Sequence, residues 1–376
     1  MTGRVLLVTP VVPSDRGNGL AMRAGMWLSA LAKLGPVDLA VLPIYPAPST
    51  AADFARSLST SVTVLRARFI SSAAEDARIE VESESLESLS RIAQDSTLVV
   101  IFRLAAADLV SAALPDVPRI LDLDDLDWVR EERLGRQEAA RSALARAQQL
   151  APECRLLVVA NSADLSAFRA VAPGIPVMAL PNVVDEPRDR AEVADARGGT
   201  HEIDLLFVGT LGYEPNMRGV EWVIDQVLPW LPGVTFAAVG ALPPPNMLGR
   251  ASDRVRIVAN PRSVTPWYRA ARVAVVPLWA GSGTRTKIPE AWAHEVPIVS
   301  TPIGAEGFCE ERSDGLLIAA DPESFAAHCR ALLASPDHAS ELVTAGLRRY
   351  REGYTPEVAA RSVQSAVRAA LEGHQP

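Results

Sequence analysis

The densest run of chemically capable residues is Pro277-Leu-Trp-Ala-Gly-Ser-Gly-Thr-Arg-Thr-Lys-Ile-Pro-Glu290. A strand is expected to end at Pro277. A loop of small residues follows (Gly281, Ser282, Gly283, Thr284), and a helix is expected to begin near Thr286 with Pro289 in its first turn. Such a loop turns backbone N–H groups toward whatever lies beyond the strand's carboxyl end. Arg285 and Lys287 set two cations at the end of the helix where its dipole disfavours them. A bound anion removes that conflict, and a diphosphate is the natural candidate. Glu290 lies one turn beyond Lys287, so its carboxylate reaches the same ligand and accepts hydrogen bonds from hydroxyls. A capped helix with a Lys/Glu surface pair is the bland alternative, and it leaves the Gly-Ser-Gly loop unexplained.

A second cluster is acidic: Asp122-Leu-Asp124-Asp125-Leu-Asp127, after a short strand at Arg119–Leu121 and before a helix. Three readings stand. The carboxylates hold a divalent ion on a diphosphate, as a DxD motif does. They face the same ligand, or a second substrate, from a loop at a strand's carboxyl end. Or they cap the following helix and do nothing else. A third segment, Asp15-Arg-Gly17-Asn18-Gly19, joins the first strand to its helix, and its glycines let the backbone approach a phosphate closely. As a dinucleotide fingerprint it fails, because Met22 stands where a third glycine is required.

The elements that position these residues are short and mostly apolar throughout, as parallel strands covered on both faces are. In the first half the sequence predicts strands at Val5–Thr9, Val37–Leu42, Val62–Leu65, Leu98–Phe102, Arg119–Leu121, Leu156–Ala160 and Val177–Leu180. Leu20, Ala24, Trp27, Leu31 and Leu34 recur at helical spacing up to Gly35. After Asp185 the composition turns charged and Ala/Gly-rich and loses its periodicity, which reads as a linker. The rhythm restarts with strands at Ile203–Val208, Val234–Val239, Val255–Val258, Val273–Pro277, Pro297–Ser300 and Leu316–Ile318, a helix from Asn216 to Leu228, and a last helix from Pro356 to Leu371. The expected class is α/β, with two doubly wound Rossmann-like domains facing a central cleft. The first would span residues 1–185, the linker 186–202 and the second domain 203–352. A closing helix at 353–376 would pack back on the first.

The donor-type segment carries a family resemblance. Gly281-Ser-Gly-Thr-Arg-Thr-Lys-Ile-Pro-Glu-Ala-Trp-Ala, with Val-Pro-Ile-Val-Ser-Thr and Gly-Ala-Glu-Gly after it, resembles the donor-binding stretch of the GT-B-fold glycosyltransferases of family 4. Phe207-Val-Gly-Thr-Leu-Gly-Tyr-Glu-Pro-Asn216, Pro181-Asn-Val-Val-Asp185 and the Gly17–Gly19 loop fit the same pattern. The resemblance is strong over residues 203–318 and weaker over 40–120. It implies a retaining transferase acting on a nucleotide diphosphate sugar, with Glu290 matching the second acid of the family's E-x7-E motif, which holds the donor ribose. Ser282 stands where the first acid falls, so backbone N–H groups near Ser282 and Gly283 are expected to share in holding the sugar. Many relatives carry an Arg and a Lys after the Phe-Val-Gly strand. Here Thr210 and Asn216 lie in that region, and the diphosphate charge falls to Arg285 and Lys287. The implied donor contacts are Gly17, Asn18, Gly19, Gly209, Thr210, Gly281, Gly283, Thr284, Arg285, Lys287 and Glu290, with Asp124 and Ser282 at the reacting centre.

Histidine placement bears on the mechanism. All five histidines lie beyond residue 200. An inverting transferase of this architecture needs a base in its first domain, which here offers only carboxylates. A retaining enzyme, whose departing phosphate oxygen takes the acceptor proton, needs none. The formal charge of −8 argues against a general grip on nucleic acid. Cys154, Cys309 and Cys329 fit neither a disulfide framework nor a zinc site. No run is long enough to span a bilayer, so the expected location is the cytoplasm, with peripheral membrane contact left open. No metal or other cofactor is expected. The partners are a nucleotide diphosphate sugar and an acceptor hydroxyl or amine, in a bacterial envelope glycan or secondary metabolite. The rival functions are a metal-dependent transferase using Asp122–Asp125 and a non-catalytic nucleotide-sugar-binding protein.

Overall fold

The structure is a computed structural model of the 376-residue chain, and it describes residues 3–45, 51–71, 77–187, 203–308 and 315–373. It divides into two compact units. The first comprises Met1–Asn182, Ser282–Thr284 and Pro356–Pro376; the second comprises Val183–Gly281 and Arg285–Thr355. All but two residues of the 186–202 linker segment lie outside the described residues.

The first unit is built on β1 (Val5–Thr9), β2 (Val37–Val41), β3 (Ser61–Val64), β4 (Ala67–Ser71), β5 (Ala77–Val81), β6 (Leu98–Phe102), β7 (Arg119–Asp124), β8 (Leu156–Val159) and β9 (Val177–Ala179). Seven of these form a parallel sheet in the order β3-β2-β1-β6-β7-β8-β9. The order reverses between β1 and β6, the topological switch point of a doubly wound sheet. Leu6, Val8, Val99 and Ile101 face one apolar layer, while Val5, Leu7, Leu98 and Val100 face the other. This two-sided burial is why the strands read as unbroken apolar runs. The second layer also holds Trp27, Leu28 and Leu31 of the helix Gly19–Ala32, and Val363, Ala366, Val367 and Ala370 of the closing helix Pro356–Glu372.

The second unit uses β10 (Ile203–Val208), β11 (Phe236–Gly240), β12 (Val255–Ala259), β13 (Ala271–Val276), β14 (Ile298–Ser300) and β15 (Leu317–Ile318). They form a parallel sheet in the order β12-β11-β10-β13-β14-β15, with its switch point between β10 and β13. Among the described residues no helix is long and apolar enough to cross a membrane.

Three local expectations change. The antiparallel β4–β5 hairpin has no counterpart in the predicted strands. The helix expected from Asn216 to Leu228 runs as an α-helix only over Glu214–Trp222. It loosens into a π turn at Val223–Val227 and tightens into a 3-10 turn at Leu228–Trp230, where Pro229 lacks the N–H an α-helix needs. Finally, β7 continues to Asp124, so Asp122 and Asp124 lie on the strand and not in a loop.

Candidate functional site

In the second unit, the segments that follow β10 and β13 flank the switch point, and open α/β sheets bind ligands in the crevice there. The helix after β13 spans Lys287–Ala293, one residue later than expected, and Thr286 precedes it. Lys287 Nζ donates to Asn216 Oδ1 at 3.2 Å and lies 5.4 Å from the centre of the Phe207 ring. Asn216 Nδ2 donates to the Thr210 carbonyl at 2.9 Å, so the β10 and β13 segments are tied together through one amide. Gly209 serves by close approach: its N–H goes to Val239 O at 3.1 Å, and a Cβ on Gly240 would collide with its carbonyl.

Arg285 is buried. Its Nη2 donates to Glu306 Oε2 at 3.1 Å and to Gly281 O at 3.3 Å. The conflict between cation and helix dipole is therefore met in part by the protein's own Glu306, from the Gly-Ala-Glu-Gly run. Glu290 is half-buried, and burial pushes its carboxyl up to about 7 against the opposing effects of the Tyr268 hydroxyl and Lys287. Tyr268 donates to Glu290 Oε2 at 3.1 Å. Burial lowers the pKa of His294, whose ring nitrogens lie 2.8 Å from Glu290 O and 3.2 Å from Thr265 Oγ1.

The tip of the glycine loop, Ser282–Thr284, belongs to the first unit. The Ser282 hydroxyl accepts from Leu126 N at 2.7 Å and donates to Leu126 O at 3.2 Å, so it is fixed to backbone. Gly283 N donates to Asp164 Oδ2 at 3.1 Å, and the Thr284 hydroxyl donates to Ala160 O and accepts from Asn182 N. Gly283 has a φ of +70°, and a Cβ there would lie 2.0 Å from Asp125 Oδ1. Gly281, with a φ of +117°, also needs glycine's freedom.

The acidic cluster is a buried ion network. Arg23 Nε and Nη2 bind the two oxygens of Asp122 at 2.7 and 2.8 Å, and Trp27 Nε1 also donates to that carboxylate. Arg23 Nη1 donates to Leu180 O and Asn182 Oδ1. Asp124 accepts from Asn182 Nδ2 at 3.2 Å and lies 3.5 Å from both Arg23 and Arg103. Arg103 Nη2 binds Asp127 at 2.8 Å. Burial raises Asp124 to about 7; Arg23 and Arg103 oppose that rise, while Asp125 and Asp122 add to it. Burial works against the charge of Arg103, but Asp127, Asp125 and Asp124 outweigh it and hold its pKa above the ordinary value. The register of β7 on β8 slips between Asp122 and Asp124, and Asp124 has a φ of +58°. Such bulges re-aim a side chain. The helix Asp127–Arg133 has Leu126 at its N-cap, which makes no side-chain capping bond, and Asp127 in its first turn. Guanidinium groups neutralise these carboxylates, and among the described residues no group of three His, Cys, Asp or Glu could hold a metal ion.

The Gly17–Gly19 loop has a local role. Asn18 Oδ1 accepts from Ala21 N at 2.9 Å and caps the first helix, and Gly17 has a φ of +104°. Cys154 and Cys329 are buried, free thiols, while Cys309 and two of the histidines, His201 and His374, lie outside the described residues. Sequence reasoning missed Arg23, Arg103, Asn182, Tyr268 and the pairing of Glu306. Arg23 gave a signal, as a charged residue beside Ala24 and one helical turn before Trp27 on the buried face, and Asn182 and Glu306 lay within the Pro181–Asp185 and Gly-Ala-Glu-Gly runs.

Residues 202–335 match the family described as Glycosyl transferases group 1. Over the whole chain the fold matches sucrose-phosphate synthase from Thermosynechococcus elongatus (TM-score 0.72, 16% identity, 99% of this chain and 100% of that one). It also matches Anabaena HepE in complex with UDP-glucose (TM-score 0.74, 14% identity, 98% and 100%). A curated relative, an uncharacterized 44.6 kDa protein in the cps region of Klebsiella pneumoniae, is 26% identical over 146 residues. The match covers 34% of this chain and spans 36% of that protein's length. Residues 202–335 thus match a glycosyl transferases group 1 model within a chain whose fold is that of GT-B structures.

Proposed function

We propose that this chain is a retaining glycosyltransferase of the family 4 type, moving a sugar from a nucleoside diphosphate sugar to an acceptor hydroxyl or amine. The carrying observation is the convergence of Lys287, Asn216, Thr210 and Glu290 at the switch point of a sheet inside a glycosyl transferases group 1 domain. In this reading Lys287 binds the diphosphate, and Arg285 joins it by exchanging part of its Glu306 contact for phosphate oxygen. Glu290 accepts from the ribose hydroxyls. Fixed cations stabilise the charge that develops on the leaving diphosphate, and its oxygen takes the acceptor proton. Asp124, at the bulged end of β7, is the acid assigned to the acceptor side.

The pairing of Asp122, Asp124 and Asp127 with Arg23 and Arg103 supports a metal-independent reaction over the DxD reading. HepE and this chain share the fold, and HepE's complex with UDP-glucose supports a nucleoside diphosphate sugar as donor. The test is to incubate the protein with a panel of nucleoside diphosphate sugars and excess EDTA. Nucleotide release is followed, and the product anomer is read by NMR. Release with the donor's anomeric configuration kept is expected. Release only with added manganese or magnesium would favour the metal-dependent rival, and none with any donor the non-catalytic one.

A further inference from the structure

Tyr268 is a phenol buried to 2% exposure on the helix Thr265–Ala270. Its hydroxyl reaches the Glu290 carboxylate at Oε2. Its ring stacks on His294 at 4.6 Å between centroids and 19° between planes. His294 is fixed at both nitrogens. A carbonyl only accepts, so Nδ1–H donates to Glu290 O and Nε2 accepts the Thr265 hydroxyl. Thr265, Tyr268, Glu290 and His294 thus staple two short helices together. Core volume alone asks only for a Phe at position 268; the phenol oxygen adds a direction.

A Glu side chain has several staggered rotamers and loses its aim when nothing holds it. With Oε2 held by the phenol, Oε1 is the oxygen left for a ligand, and the fixed Lys287 lies one turn earlier on the same helix. We propose that Tyr268 is a positioning residue for donor selectivity: by holding Glu290 Oε2, it aims Oε1 at the ribose hydroxyls and makes the site distinguish ribonucleotides from 2′-deoxyribonucleotides. The inference rests on the ribose role proposed for Glu290 above.

The test is calorimetric titration of ADP, CDP, GDP and UDP and their 2′-deoxy counterparts into wild type, Tyr268→Phe, Glu290→Gln and the double variant. Phe keeps the volume and the stack on His294. Wild type should prefer the ribose form of the nucleotide it binds. Tyr268→Phe should weaken that form by about tenfold, the size of one lost hydrogen bond to a charged group, and leave the deoxy form unchanged. The double variant should bind no worse than Glu290→Gln. Full discrimination in Tyr268→Phe but not in Glu290→Gln refutes Tyr268 and keeps Glu290. Equal weakening of both sugar forms also refutes the positioning role. Discrimination that survives Glu290→Gln, or is missing from wild type, removes the ribose role and this inference with it. If Tyr268→Phe does not fold, 3-fluorotyrosine at position 268 gives a more acidic donor in the same shape. It should change the ribose-to-deoxyribose ratio, and an unchanged ratio counts against the proposal.

Discussion

Glu290 and Asp124 are both carboxyls that burial lifts to about 7, yet their surroundings differ. Glu290 faces a phenol and one ammonium, and His294, with Arg269 near it, stays neutral behind them. Its charged form prevails only as pH rises through about 7, so ribonucleotide affinity should climb by about tenfold between roughly pH 6 and pH 8. In Glu290→Gln the profile should be flat; a flat wild-type profile would contradict the assignment. Asp124 sits between two guanidinium groups at a positive φ, which Asn tolerates better than most residues. Because its folded pKa is raised, Asp124 costs stability progressively as pH rises from about 4 to about 7, and no further above that. Asp124→Asn, which does not ionise, should therefore match wild type in urea midpoint at about pH 4 and exceed it above about pH 7, while lowering turnover. Asp122→Ala should instead cost about 3–5 kcal/mol, since it strands Arg23 as a buried charge. An equal loss in both variants would show that the two acids are not distinguished as described.

At the scale of elements, the loop between β13 and the Lys287–Ala293 helix depends on two left-handed glycines. Gly283→Ala meets both an unfavourable φ and the Asp125 carboxylate, and should cost about 1–3 kcal/mol in a denaturation midpoint. No loss would mean that the loop tip is not held as seen. The strands of both sheets were legible because two-sided burial writes itself as runs such as Val5–Thr9 and Leu98–Phe102. The β4–β5 hairpin was not, because Arg68, Arg78 and Glu80 interrupt its apolar residues and leave no such run. Lys287, Arg285 and Glu290 stood out by type and spacing within one segment. Their partners did not: Asn216 is 71 residues from Lys287, and Arg23 is 99 from Asp122. No local pattern encodes such pairs, which the sheet order creates. The tie of the Ser282 hydroxyl to Leu126, 156 residues away, was hidden for the same reason.

Across the whole molecule, the closing helix Pro356–Glu372 belongs to the first unit although it follows the second in sequence. It lays Val363, Ala366, Val367 and Ala370 on the layer that holds Trp27 and Leu31. Ending the chain after Thr355 should therefore lower the melting temperature of the first unit's transition and leave the second's in place, because each uncovered valine alone forfeits about 1.5–3 kcal/mol. A single unshifted transition would contradict that division. The central claim concerns the second unit: a nucleoside diphosphate sits at the switch point between β10 and β13. A crystal structure with the nucleoside diphosphate bound tests it most directly. The account predicts phosphate oxygen at hydrogen-bond distance, about 2.7–3.2 Å, from Lys287 Nζ, with a ribose hydroxyl on Glu290. A nucleotide seated in the first unit, or one whose phosphates lie away from Lys287 and whose ribose lies away from Glu290, would contradict it.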